Sequence, residues 1–139
     1  MSSFSGIWVP LVTPFRQGEI DFSALKSLCT RMLKRGVDGV VVCGTTGEAA
    51  TMTSEEHLKT IDFIIQKSKG RVPVIAGTGS NDTRHAIELS KEAEAIGADA
   101  ILSVTPYYNK CSQKGLFLHF EAVAQAVSLP IILYNVPTR

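Results

Sequence analysis

The sequence predicts an α/β fold built on a parallel sheet with crossover helices, with five strands and four helices in all. Three observations carry that prediction. Short β-branched runs alternate along the chain with longer segments of helical period. The runs begin at residues 6, 39, 72, 100 and 131, about the separation that one strand-helix unit requires. A weak internal repeat relates RGVDGVVV from Arg35 to IGADAILS from Ile96, and RVPVI from Arg71 to SLPII from Ser128. Two strand-helix units per repeat suit a (β/α)8 barrel, whose interior layers are filled by alternate strands. A doubly wound open sheet is the competing arrangement. Against it, the first strand-to-helix turn reads VTPFRQGE with no G-x-G-x-x-G, and GTGSND after the third strand lacks the last Gly.

The elements follow in order. The predicted strands are GIWVPLV, GVVVCG, VPVIAG, AILSV and IILYNV. Between the first two, Leu25, Leu28 and Met32 form an apolar stripe at helical spacing. Leu58, Ile61 and Ile65 form the second stripe, Ala86, Leu89, Ala93 and Ile96 the third, and Leu116, Phe120, Val123 and Val127 the fourth. Thr53 and Glu56 have the spacing of a capping box, and Gly36, Gly70 and Gly97 are placed as helix stops.

Composition bounds the function. The 139 residues are 45% apolar, enough to bury a sizeable core, and the net charge is +1 with both signs interspersed. That balance lacks the electrostatic footprint of a nucleic-acid or membrane-surface binder. No apolar run reaches the roughly 18 residues of a membrane span, and MSSFSG lacks the layout of a signal peptide, so the cytoplasm is the expected location. Cys29, Cys43 and Cys111 are widely spaced and indicate neither a disulfide framework nor a zinc site.

In a barrel, chemistry gathers at the C-terminal ends of the strands. After strand two, GTTGEAA offers backbone N–H groups and the hydroxyls of Thr45 and Thr46 to a small anion such as a carboxylate. A plain strand-to-helix turn capped by threonine explains the same residues. Tyr107 and Tyr108 follow strand four, where adjacent tyrosines serve packing or interfaces more often than acid-base work. Tyr134 ends strand five and is suited to a proton shuttle if neighbouring hydroxyls relay to it. His57, His85 and His119 fall in helical segments at no ligand spacing and read as surface or partly packed side chains. Hydroxyls alone need an electrophile, which a lysine Schiff base supplies without a cofactor.

GTTGEAATM, VIAGTGSN, VTPYYNK and YNVPTR, in this order and spacing, resemble the dihydrodipicolinate synthase branch of the N-acetylneuraminate lyase superfamily of class I aldolases. The resemblance runs from VPLVTPF to Arg139 and implies that residues 1–139 are the first half of a (β/α)8 barrel. The remaining strands and a helical C-terminal region would follow Arg139. It implies condensation of pyruvate with L-aspartate 4-semialdehyde in lysine and diaminopimelate biosynthesis, with no metal or organic cofactor. Thr45 and Thr46 would hold the pyruvate carboxylate. Thr46, Tyr108 and Tyr134 would form a proton relay, Tyr108 reaching across a dimer interface of a homo-oligomer, a dimer or a tetramer built from dimers. Arg139 would bind the semialdehyde carboxylate, a task suited to a bidentate guanidinium. The family's Schiff-base lysine belongs to strand six, beyond Arg139. None of Lys26, Lys34, Lys59, Lys67, Lys69, Lys91, Lys110 and Lys114 sits in an apolar strand where desolvation would lower its pKa.

The competing functions are a sialic acid or sugar-acid lyase of the same superfamily, and a non-catalytic assembly fragment. The Tyr-Asn after TPY and the Arg of VPTR fit the synthase better. The resemblance also implies a lysine-binding allosteric cleft lined by Ala49, Ala50, Ser54, His57, Asn81, His85 and Tyr107. Three of these depart from lysine-sensitive members: His85 stands where they carry a glutamate, and Ala49 and Ser54 replace a hydroxyl and an imidazole.

Overall fold

Strands buried on both faces read as unbroken apolar runs, and the four-residue strand GVVV is buried throughout. In a computed structural model that describes residues 4–138, the chain begins with strand β1 (Trp8–Pro10), a small antiparallel hairpin of β2 (Phe15–Arg16) and β3 (Glu19–Ile20), and helix α1 (Phe22–Lys34). It continues through β4 (Gly39–Val42), α2 (Ser54–Ser68), β5 (Val74–Gly77), α3 (Thr83–Ile96), β6 (Ala100–Val104), α4 (Gln113–Ala126) and β7 (Ile131–Tyr134). Two short 3-10 turns, Thr45–Gly47 and Ala49–Thr51, lie between β4 and α2. The main sheet runs β1-β4-β5-β6-β7 with every pairing parallel. That consecutive order, with a helix on each crossover between neighbouring strands, is the winding of a (β/α)8 barrel and not of a doubly wound sheet.

The five parallel strands and four helices appear where the periodicity places them. The hairpin in VTPFRQGE was not expected; Gln17 and Gly18, both at positive φ, turn it tightly enough to pair Phe15 with Ile20. The first strand is also shorter than the apolar run suggests, because its pairing with β4 spans only Trp8 to Pro10. Each helix starts on a side chain that accepts a backbone N–H: Asp21 for α1, Thr53 for α2, Asp82 for α3 and Ser112 for α4. The Thr53–Glu56 capping box is complete, with both reciprocal bonds formed. Gly36, Gly70 and Gly97 all lie at positive φ just past helix ends.

Two apolar layers flank the sheet. The larger, between strands and helices, contains Leu25, Cys29, Val40, Val42, Ile61, Ile64, Val74, Ala76 and Ile101. The other, on the face away from the helices, joins Val41, Ile75 and Ala100 to Trp8, Leu102 and Ile132. Side-chain alternation therefore places Leu102, Val104, Ile132 and Tyr134 on the concave face, with Tyr134 at its C-terminal rim. Two histidines differ from their sequence reading. His57 and His119 are buried, because they share the core-facing sides of α2 and α4 with Ile61 and Val123.

The internal repeat has a physical basis at the opposite end of the strands. Asp38, just before β4, accepts a hydrogen bond from the Ile7 N–H at 2.7 Å, beside the start of β1. Asp99, just before β6, accepts one from the Val74 N–H at 2.8 Å, at the start of β5. In both cases the aspartate of VDG or ADA ties its own strand to the preceding neighbour in the sheet and satisfies a strand-end donor. Asp99→Ala leaves the Val74 N–H without that partner and is expected to cost about 1–2 kcal/mol of stability. Urea unfolding checks this: the midpoint should fall for Asp99→Ala and fall less for Asp99→Asn, which keeps an acceptor oxygen.

Candidate active site

The chain must leave β4 sharply to form the GTTG turn, and it does so through Cys43 at φ 55. The Cys43 carbonyl then lies against β5 so closely that a Cβ on Gly77 would be 2.3 Å from it. His57, on the first turn of α2, places Nε2 2.7 Å from the Gly77 carbonyl oxygen, and the Cys43 thiol donates to the His57 carbonyl at 3.7 Å. The ends of β4, β5 and α2 are thereby joined around one point. Burial pushes the Cys43 thiol up to about 12, so it remains protonated and serves as a donor rather than a nucleophile.

Above this junction the C-terminal ends of β4, β5, β6 and β7 open onto a cavity of about 520 Å³. The cavity gathers Thr45 from the turn after β4, Tyr107 and Tyr108 from the loop after β6, and Tyr134 from the end of β7. Ala49, Ala50, Ser54, His57 and His85 line it as well, so the expected substrate and allosteric residues share one hollow. Thr46 and Asn81 are exposed and stand outside its lining, although each adjoins a lining residue in sequence. Arg139 lies outside the described residues. Sequence reading missed Cys43, Gly77, Gly79, Ser80 and Glu48 as contributors to the lining. Gly77 and Gly79 could have been suspected from GTGSN, since paired glycines at a strand end signal close backbone approach.

Chemically the cavity is a hydroxyl-rich hollow. Among the described residues its lining has one carboxylate, Glu48, and no lysine or arginine. Tyr134 is 37% exposed and Tyr108 93%, the latter at φ 77, an unusual conformation for a bulky side chain. Such groups can orient a substrate and move protons, and among the described residues the lining holds no amine that could form an imine with a carbonyl. Among the described residues no group of three or more His, Cys, Asp or Glu side chains converges as a metal site would require, and no helix is long and apolar enough to cross a membrane.

The dihydrodipicolinate synthetase family matches this chain over residues 3–139. The chain belongs to that family. The 4-hydroxy-tetrahydrodipicolinate synthase of Acetivibrio thermocellus is 54% identical over 136 residues, covering 98% of this chain and 47% of that protein. The crystal structure of the dihydrodipicolinate synthase from Aquifex aeolicus superposes with a TM-score of 0.95 at 51% identity, covering 98% of this chain and 46% of the other. A synthase from Acinetobacter baumannii, solved in complex with pyruvate, gives 0.95 at 50% identity, covering 99% and 47%. The chain thus spans about half the length of the relatives it matches, and its sheet is the first half of the family's barrel.

His57 couples the site's integrity to pH. Burial is the main cause that holds its pKa below the usual histidine value; the Gly77 carbonyl opposes the shift and nearby His85 adds to it. In the unfolded family chain the group takes up a proton near pH 6.5, which the folded protein resists. Its contribution to stability is therefore full above about pH 6.5 and is lost as pH falls through that value toward the lower folded pKa. Melting temperatures measured from pH 7.5 to 5 should decline less steeply for His57→Gln than for the unmodified protein.

Proposed function

We propose that the whole protein condenses pyruvate with L-aspartate 4-semialdehyde to 4-hydroxy-tetrahydrodipicolinate, a lyase-class step of lysine and diaminopimelate biosynthesis. The observation that carries this reading is the convergence of Thr45, Tyr108 and Tyr134 from three strand ends on one cavity in a chain of this family. The pyruvate complex of the Acinetobacter relative supports the keto acid as substrate. The cytoplasm is the proposed location, no cofactor is required, and the working unit is a homo-oligomer, a dimer or a tetramer of paired subunits.

In this reading Thr45 and Thr46 receive the pyruvate carboxylate through backbone N–H groups and hydroxyls. A lysine supplied by sequence outside this segment attacks the keto carbon, and loss of water gives the imine. Removal of a methyl proton produces the enamine, whose carbon bonds to the aldehyde carbon while the aldehyde oxygen takes up a proton. The amino group of the semialdehyde then attacks the re-formed imine carbon, closes the ring and expels the lysine as its free amine. Tyr134 carries these protons, in exchange with Thr46 and Tyr108, the latter reaching the neighbouring subunit's site. Arg139 holds the semialdehyde carboxylate. The rest of the barrel and a helical C-terminal region complete the domain in the whole protein.

Borohydride reduction in the presence of pyruvate tests the chemistry. The complete chain should retain a reduced adduct by mass spectrometry, and residues 1–139 alone should retain none. An adduct on Lys110 or another lysine of this segment would refute the external nucleophile. Tyr134→Phe should lower turnover about 10²-fold, with pyruvate half-saturation little changed, because the hydroxyl acts during proton transfer.

The cleft residues lead to a further expectation. His85 lines the cavity together with Ala49, Ser54, His57 and Tyr107. An imidazole cannot replace a carboxylate toward an ammonium group, and loss of one charge-assisted bond costs about 1.5–3 kcal/mol, roughly ten- to more than a hundredfold in affinity. The complete enzyme should be inhibited weakly or not at all by L-lysine. Initial rates at saturating pyruvate, titrated with L-lysine beside His85→Glu, check this, and tight inhibition of the unmodified enzyme would refute it.

A further inference from the structure

We infer that Thr13 is a positioning residue for the keto-acid carboxylate, its hydroxyl fixing the Thr45–Gly47 turn against the end of β1. This rests on the keto-acid reading of the cavity. Thr13 follows the first apolar strand and is 5% exposed. Its Oγ1 donates to the Gly47 carbonyl oxygen at 2.7 Å, a buried bond between residues 34 apart in sequence. The Leu11 N–H, two residues before Thr13, donates to the Val41 carbonyl at 2.9 Å and closes the β1–β4 pairing at Pro10.

Packing at this contact leaves little slack. A Cβ on Gly47 would stand 3.2 Å from the Leu11 carbonyl oxygen and 3.3 Å from Thr13 Oγ1, closer than most side-chain contacts allow. The turn's own bonds run from Gly47 N–H to the Gly44 carbonyl and from Glu48 N–H to the Thr45 carbonyl, so the N–H groups of Thr45 and Thr46 are outside them. Glu48 then adopts φ 58, a left-handed conformation that a non-glycine residue holds only when its surroundings impose it. Two threonine hydroxyls supply that restraint at successive carbonyls: Thr13 at Gly47, and Thr51 at Glu48 at 2.9 Å. Thr51 is exposed and Thr13 buried, so the bond from Thr13 is the one protected from competing water.

Replacing Thr13 with valine nearly preserves volume and removes the hydroxyl that donates to the Gly47 carbonyl. The turn then loses its register under the carboxylate, while Tyr134 on β7 keeps its place. In the complete enzyme, Thr13→Val should raise the half-saturating pyruvate concentration about tenfold, leaving turnover at saturation and half-saturation by the semialdehyde near those of the unmodified protein. Thr13→Ser, which keeps the hydroxyl, should restore pyruvate affinity. Gly47→Ala, which keeps Thr13 but displaces the turn, should reproduce the valine effect.

The experiment is steady-state kinetics on the three variants of the complete enzyme, beside borohydride trapping of pyruvate on the unmodified complete enzyme. If the unmodified complete enzyme traps no pyruvate, the keto-acid reading itself fails. If it does and folded Thr13→Val binds pyruvate normally, or loses turnover and both half-saturation constants together, the positioning role is overturned. Should Thr13→Val not fold, Gly47→Ala and Thr13→Ser decide: a pyruvate-selective loss in the first with near-normal serine supports the role, and any other pattern overturns it.

Discussion

The close approach of β4 to β5 at Cys43 and Gly77 governs the end of the sheet that bears the cavity. Parallel strands pair at a fixed spacing, so the chain leaving β4 for the GTTG turn must pass its neighbour without a side chain in the way. Gly77 makes room for the Cys43 carbonyl, and the carbonyl of Gly77 itself is taken by the His57 ring at 2.7 Å. One backbone contact thus sets the exit angle of β4, the seat of α2 and the floor of the cavity. A side chain at residue 77 would have to displace backbone atoms of Cys43 and Gly44, and the turn with Thr45 and Thr46 would move with them.

The two ends of the sheet are built by different chemistry. At the N-terminal end, carboxylates of Asp38 and Asp99 tie neighbouring strands, and the layer between sheet and helices is apolar. Toward the C-terminal end the same layer becomes polar. Thr78 and Ser90 share a buried hydroxyl pair at 2.8 Å, and Thr83 meets His119 Nδ1 at 2.8 Å. Ser103 Oγ, Thr105 Oγ1 and His119 Nε2 are buried there and have no hydrogen-bond partner among the described residues.

Much of the fold was legible because its signals are local and repeated. Apolar runs and helical stripes reflect burial on two faces and on one face, and the helix stops reflect a backbone conformation that favours glycine. The hairpin at Gln17 and Gly18 escaped because two-residue strands leave no periodicity to read. At the site, strand-end position pointed to Thr45, Thr46, Tyr107, Tyr108 and Tyr134, and all but Thr46 line the cavity, while the roles given to them came from the family resemblance. The burial of His57 was not legible, since its value to the structure lies in a carbonyl 20 residues away. Thr13 escaped for the same reason, its partner being 34 residues distant. Contacts between strand ends are a property of the assembled sheet, and no short window of sequence contains both partners.

Tyr108 carries the reasoning furthest from the isolated chain. It combines φ 77 with 93% exposure, and neither property is favourable for an aromatic side chain alone in water. A bulky residue in the left-handed region costs of order 1–3 kcal/mol, and such a conformation persists where surrounding contacts impose it. Among the described residues the ring gains little by burial, and contacts from a neighbouring subunit, as proposed, would offset that cost. The left-handed turn at Tyr108 is compatible with that crossing. It also accounts for the sharp difference between Tyr107, half-buried at the cavity wall, and its exposed neighbour: the left-handed turn at Tyr108 is what directs two adjacent tyrosines to different destinations.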